Sequence, residues 1–190
     1  MNRQRRVLGT AVTALLVSLL LAGCGGGEKE NMDMQAAADR ADAMLDTTLK
    51  AVTPEIRWTH HTWTSGSCTV TRRRKVMTII SEERMGNFLG VIERHWKKNG
   101  YRITGVNPDR EMPALFARTS DGFQIDLSVG YKGQAVFTVT TPCVEKSDVA
   151  EPATVPNGPP YSYGEIPTPN VRSAFWSATT PLGPPAPASS

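Results

Sequence analysis

Aromatic residues are scarce in this 190-residue chain, at 7%, and cysteine and histidine occur only three times each. So few cysteines exclude a densely cross-linked scaffold. Neither Cys68 nor Cys143 has a second cysteine or a histidine at zinc-ligand spacing, so no metal is expected. A phosphate-cradling glycine loop and a dinucleotide fingerprint are both missing, so no nucleotide cofactor is expected. Net charge is missing too, outside the first residues. The formal +3 comes entirely from Arg3, Arg5 and Arg6, and beyond residue 23 there are 18 basic and 18 acidic residues. General attraction to nucleic acid therefore has no basis here. Proline is rare in the middle of the chain, because ten of its 14 occurrences lie in residues 151–190. What remains between is about 110 residues, enough for one modest hydrophobic interior.

The one long apolar run is Val7–Ala22, 16 residues behind a basic start. That is short for a membrane span, which needs about 20 apolar residues, but suits a signal-peptide core. It ends in Leu21-Ala22-Gly23-Cys24, followed by three glycines. This resembles the lipobox of bacterial lipoproteins. The resemblance implies diacylglycerol on the Cys24 sulfur, cleavage after Gly23, and a signal peptide over residues 1–23. Two acyl chains would provide the stable anchoring that a single chain cannot. The alternative is an ordinary secretory signal with an incidental cysteine. Arg5-Arg6 also gives a partial match to a twin-arginine export signal, so the export route stays open.

With Cys24 set aside, Cys68 and Cys143 form an even pair in an exported chain. A bridge between them would close a loop of about 75 residues and contribute on the order of 4 kcal/mol. Two free buried thiols are the alternative.

Residues 24–32 read as the lipidated cysteine and a charged, flexible tether, and residues 33–144 as one globular domain. Met34, Ala37, Ala38, Ala41, Met44, Leu45 and Leu49 recur at spacings of three and four, predicting a helix from about Asp33 to Ala51 that Pro54 forces to stop. Arg57–Thr64 reads as extended. Ser65-Gly66-Ser67 reads as a turn, and Cys68–Thr71 and Lys75–Ile80 as returning segments with a turn or bulge near Arg72–Arg74. Ser81 is placed to cap a second helix, with Glu82 and Glu83 in its first turn. Met85, Phe88, Leu89, Ile92 and Trp96 give that helix one apolar face, closed by Lys97, Lys98 and Asn99-Gly100. Strands are predicted at Tyr101–Val106 and Ala114–Thr119. Alternating ones follow through Phe123–Val129 and Ala135–Val139, and the same parity turns Cys143 to the core. The order predicts an α+β fold, both helices on one face of an antiparallel sheet. Residues 145–190 read as a Pro-rich tail, mostly extended or disordered, in which Tyr161, Tyr163, Phe175 and Trp176 either dock on the domain or serve as recognition segments.

Cys24, Trp58, Cys68, Ser81, Asn99-Gly100-Tyr101, Gly122-Phe123 and Cys143 occur in a layout that resembles the small LppA-type lipoproteins of actinobacteria. That family has no established activity. The resemblance therefore implies an architecture and an extracytoplasmic, lipid-anchored address at the cell membrane, and no mechanism.

Candidate sites are few. His60 and His61 are adjacent and face opposite ways on a strand, so a shared metal with His95 is disfavoured against surface or partly buried histidines. No serine or cysteine lies in a nucleophile-elbow setting, and no enzyme is expected. Between Arg72 and Arg102, nine basic residues meet three acids, while Glu28–Asp46 holds six acids and two bases. Arg72, Arg73, Arg74 and Lys75 could form a patch for anionic lipid or wall polymer, or could pair with the acidic first helix. Trp58 and Trp63 suit sheet packing or an apolar groove. The expectation is a non-catalytic envelope lipoprotein that binds another envelope component, a protein or an anionic polymer. Its rival is a small-molecule or lipid carrier with an apolar cleft between the sheet and the helix bearing Phe88, Leu89, Ile92 and Trp96.

Overall fold

The structure is a computed structural model, and it describes residues 32–130, 133–161 and 168–181. Cys24 and the leader lie outside the described residues. Two helices, α1 (Met34–Lys50) and α2 (Glu82–Lys98), pack on a sheet of seven described strands: β1 (Trp58–His60), β2 (Thr64–Ser65), β3 (Val70–Val76), β4 (Arg102–Asn107), β5 (Ala114–Arg118), β6 (Gln124–Gly130) and β7 (Gln134–Thr140). The sheet order is β1-β3-β7-β6-β5-β4, with β2 paired to β3 beyond β1, and every pairing is antiparallel. The α+β fold is the one expected.

Each helix starts where its sequence dictates. The Asp33 carboxylate accepts the Ala36 N–H at 2.8 Å, satisfying one of the free donors of the first turn. Ala37, Ala38 and Ala41 are fully buried, and their small side chains let α1 lie close on β3 and β7. Ser81 has the extended backbone of an N-cap, but its hydroxyl donates to the Ala178 carbonyl at 2.6 Å instead of capping α2. Both helices cover the same face. Arg74, Phe137 and Leu127 stand side by side across β3, β7 and β6. Arg74 reaches Asp42 of α1, while Phe137 meets Phe88 of α2 edge-on at 6.2 Å. Between the helices, the Trp96 indole donates to Thr48 Oγ1 at 3.1 Å in the buried interior.

Three expectations need correction. No turn or bulge interrupts Arg72–Arg74, because β3 runs unbroken through them and pairs in register with β7. An arginine run reads as polar, but alternate members point into the core and are neutralised there. Cys143 is exposed, because β7 ends at Thr140 and Pro142 breaks the alternation after the buried Thr141. It still reaches Cys68, and the two form the one disulfide, with Cα atoms 4.8 Å apart.

The third correction concerns the chain after residue 144. The described stretches 145–161 and 168–181 are mostly extended, as their composition predicts, with a turn at residues 174–177. They dock as a strap on the domain, one of the two alternatives left for their aromatics, in place of a free tail. Glu145 forms a bridge with Asp33, and Arg72 donates to the Ala150 carbonyl. Gly158 lies so close along β1 that a Cβ there would sit 2.6 Å from the Trp58 carbonyl oxygen, which is why glycine is required. Together with Asn157, whose side chain accepts the Trp58 N–H at 2.9 Å, it covers a sheet edge that would otherwise be open. Trp176 then enters the core, fully buried against Phe88, and donates to the Pro54 carbonyl at 2.6 Å. Burying the indole contributes about 5 kcal/mol toward the cost of ordering this stretch. The backbone bonds that the Ile79 and Ser81 amides donate to the Val171 and Trp176 carbonyls hold it as well. Tyr163 lies outside the described residues.

Candidate functional site

The basic run does not form an exposed surface. Arg72 and Arg74 are fully buried. Arg74 Nη2 donates to Asp42 Oδ1 at 2.7 Å, and Arg72 Nε lies 3.1 Å from the other oxygen of the same carboxylate. Asp46 stands 3.5 Å from Arg74. Trp63 and Trp58 stack over the two guanidiniums, 4.5 and 4.9 Å from ring centre to Cζ. Burial pushes the Asp42 carboxyl up, and the two guanidiniums beside it pull it back. These contacts are the pairing with the acidic first helix that the charge pattern allowed. Arg73 points to the opposite face and donates to the Thr62 carbonyl. Lys75 shares that side yet is 3% exposed, and burial holds its ammonium below the ordinary value.

The histidines stand apart. One neutral tautomer of His60 satisfies both of its contacts: Nδ1 accepts from Arg74 at 2.9 Å while Nε2–H donates to the Thr154 carbonyl at 2.7 Å. Burial and the Arg74 charge lower its pKa, in keeping with that neutral ring. His61 is lowered by burial, Lys75 and Arg73. Burial and Lys98 lower His95 at the end of α2. Among the described residues no group of three or more His, Cys, Asp and Glu is placed to hold a metal ion.

The concave site lies on α2, but not where its apolar face led one to look. Phe88, Ile92 and Trp96 are fully buried in the core, and of the expected cleft residues only Leu89 borders the open space. The neighbouring stripe of the same helix, positions 82, 85, 86, 89, 90 and 93, instead lines an open trough. Its far wall is the β4–β5 loop, residues 108–113. Two adjoining cavities of about 780 and 580 Å³ share Glu82, Met85, Arg110 and Glu111. Met85 and Leu89 pack on the core and form the floor, while Val106 and Met112, 56% and 55% exposed, overhang it.

The loop wall is built, not draped. Asp109 Oδ1 accepts the N–H groups of Glu111 and Met112 at 2.9 and 2.8 Å. Asn107 donates to the Met112 carbonyl, and Pro113 accepts from the Val129 amide. With Asp109 engaged in the loop, the rim carries Glu82, Glu83 and Glu111 against Arg110. Such a trough accepts an apolar group with a positive charge beside it. The described lining holds no histidine or cysteine, and the Ser81 hydroxyl is already bonded to Ala178.

A signal for this trough was present in the sequence. Gly86 and Gly90 sit mid-helix, where each costs roughly 1 kcal/mol against alanine. A Cβ on Gly86 would meet nothing within 4 Å, so the core does not require glycine there.

No protein-family model matches the chain, and neither does any curated protein. Among solved structures, the crystal structure of a DUF4853 family protein from Actinomyces odontolyticus is similar over 70% of this chain and 80% of that one, at 10% identity and a TM-score of 0.33. At that distance the likeness carries no argument about function.

Proposed function

We propose that this chain is an exported lipoprotein, cleaved before Cys24 and held by diacylglycerol on that sulfur at the extracytoplasmic face of the cell membrane. In this reading its domain binds another envelope protein without catalysing a reaction. The lipobox-like Leu21-Ala22-Gly23-Cys24 supports the anchor. No described helix is long and apolar enough to cross a membrane. The trough between α2 and the β4–β5 loop supports the binding role. The observation that carries it is the overhang of Val106 and Met112 from a wall locked by Asp109 and Asn107, since exposed apolar groups on a rigid rim are what a partner buries.

Gly86→Trp tests this reading. The site has room for a side chain, and the helix gains from losing a glycine, so the variant keeps the fold and fills the trough. Proteins cross-linked to the wild-type chain in intact cells are expected to be lost from the variant. An unchanged set of cross-links would remove the trough from the account.

The second reading is a small-molecule or lipid carrier. It is favoured by cavity volumes within the range of ligand sites, roughly 300–1,000 Å³. Native mass spectrometry separates the two, because a carrier retains a co-purifying small mass that Gly86→Trp expels.

A further inference from the structure

The sheet face away from the helices has a composition of its own. The strand registers place Arg102, Arg118, Gln124, Thr140 and Thr71 on one rung across β4, β5, β6, β7 and β3. The next rung holds Gly105, Phe116, Asp126, Thr138 and Arg73. Alternation fixes the face, because Leu115 and Ala117 on β5 and Ile125 and Leu127 on β6 are buried on the helix side. Phe116 is 41% exposed and its ring lies over Gly105, where a Cβ would stand 3.4 Å from Phe116 Cδ2. A shallow cavity of about 400 Å³ opens beside it, lined by Arg102, Thr104, Phe116, Arg118, Gln124 and Asp126.

Two features of this cavity indicate a ligand. Arg102 and Arg118 are direct cross-strand partners, an arrangement in which like charges destabilise the sheet. Neither forms an ion pair or side-chain hydrogen bond among the described residues, so the repulsion is screened by solvent alone, and an anion between them would relieve it further. Beside that pair, one exposed aromatic ring adjoins planar polar groups, the Asp126 carboxylate and the Gln124 amide. Asp126 accepts from Ser128 at 3.2 Å, which fixes its orientation. An aromatic face takes the C–H face of a pyranose ring. Guanidinium, amide and carboxylate forks match its vicinal hydroxyls and a carboxylate.

We propose that this part of the open sheet face binds a carboxylate-bearing sugar of a glycan chain, with the pyranose ring on Phe116, its carboxylate between Arg102 and Arg118, and its hydroxyls on Gln124 and Asp126. The site lies on the face opposite the trough and does not depend on the reading given for the trough.

Calorimetric titration of the full chain with tetragalacturonic acid tests the proposal, with cellotetraose as the neutral counterpart and inorganic phosphate as a competitor. Binding is expected, with cellotetraose weaker by about tenfold or more, the size of a lost charge-assisted hydrogen bond. Phe116→Ala and Arg118→Gln are each expected to weaken tetragalacturonate by a similar factor. Both side chains are at the surface, so folding is not at stake. Phe116→Trp keeps the stacking surface and should bind, with its new emission quenched by the sugar. Gly86→Trp should bind as wild type. No binding of tetragalacturonate, equal affinity for cellotetraose, or indifference to Phe116→Ala and Arg118→Gln would each overturn the proposal. Displacement by phosphate alone, with Phe116→Ala silent, would leave only a charge site and overturn the sugar.

Discussion

Replacing Asp42 with asparagine is predicted to be the most damaging single change of charge in this domain. One carboxylate serves two buried guanidiniums, Arg72 at 3.1 Å and Arg74 at 2.7 Å. Removing one partner of a buried pair leaves an uncompensated charge at about 3–5 kcal/mol. Asp46, at 3.5 Å, answers part of Arg74, and the stacked Trp58 and Trp63 contribute a little more. The expected loss is therefore about 3 kcal/mol, against a total stability of about 5–15 kcal/mol for a domain of this kind. At this chain length that lowers the melting temperature by about 10 °C. Urea denaturation of the full chain followed by tryptophan emission measures it directly. The same reasoning orders the arginine run. Arg72→Ala and Arg74→Ala are costly, while Arg73→Ala, on the other face, costs at most about 1 kcal/mol. A loss under about 1 kcal/mol for Asp42→Asn, or an equal loss for Arg73→Ala, would refute the assignment of Arg72 and Arg74 to the interior.

Other consequences follow from the strap, the disulfide and the histidines. Trp176→Ala removes a fully buried indole and its bond to Pro54, and should cost about 3–5 kcal/mol. It should also open residues 168–181 to limited proteolysis, and a variant as protease-resistant as wild type would show the strap to be held elsewhere. Cys68→Ser removes a link between residues 75 apart in sequence and should cost about 4 kcal/mol by urea denaturation. No change under matched conditions would show that the bridge does not restrain the unfolded chain. Burial holds His60, His61 and His95 below the ordinary imidazole value, so as pH falls the unfolded chain binds protons first. Their stabilising contribution is complete above about pH 6.5 and declines as pH drops toward the folded values. Asp42 and Asp126, raised by burial, act in the opposite sense in the carboxylate range below. The urea midpoint should be lower at pH 5.5 than at pH 7.5, with His60→Gln reducing the difference, and a flat or rising midpoint would contradict the burial of these rings.

Both helices were legible because their apolar spacing, caps and terminators agree with one another. Met34–Lys50 and Glu82–Lys98 fall within a residue or two of the sequence reading. The alternation in β6 and β7 was equally plain, since a one-sided antiparallel sheet writes its buried face at every second residue. Less was legible where the partner of a residue is remote. The charge pattern left Arg72 and Arg74 between an exposed patch and pairing with the acidic first helix, because nothing local reveals that both meet Asp42, some thirty residues earlier on α1. Trp176 read as part of a tail because composition over residues 145–190 averages out a single buried anchor. The trough was hidden for a related reason. It is formed by a helical stripe with little apolar weight of its own and by a loop whose shape depends on Asn107 and Asp109. Only Gly86 and Gly90 marked it, as glycines inside a helix, and for Gly86 the structure shows no neighbour that a Cβ would meet.

The most direct test of the binding role is site-specific photo-cross-linking in intact cells, with the reactive side chain introduced at Met112 on the trough rim and, separately, at Val155 on the strap. Both positions are exposed, at 55% and 82%, so reactivity alone does not distinguish them. The account predicts a recurrent adduct of defined mass from position 112 that is missing from position 155 and is lost when Gly86 is also replaced by tryptophan. Equal adducts from both positions, or an adduct at 112 that survives the filled trough, would contradict it.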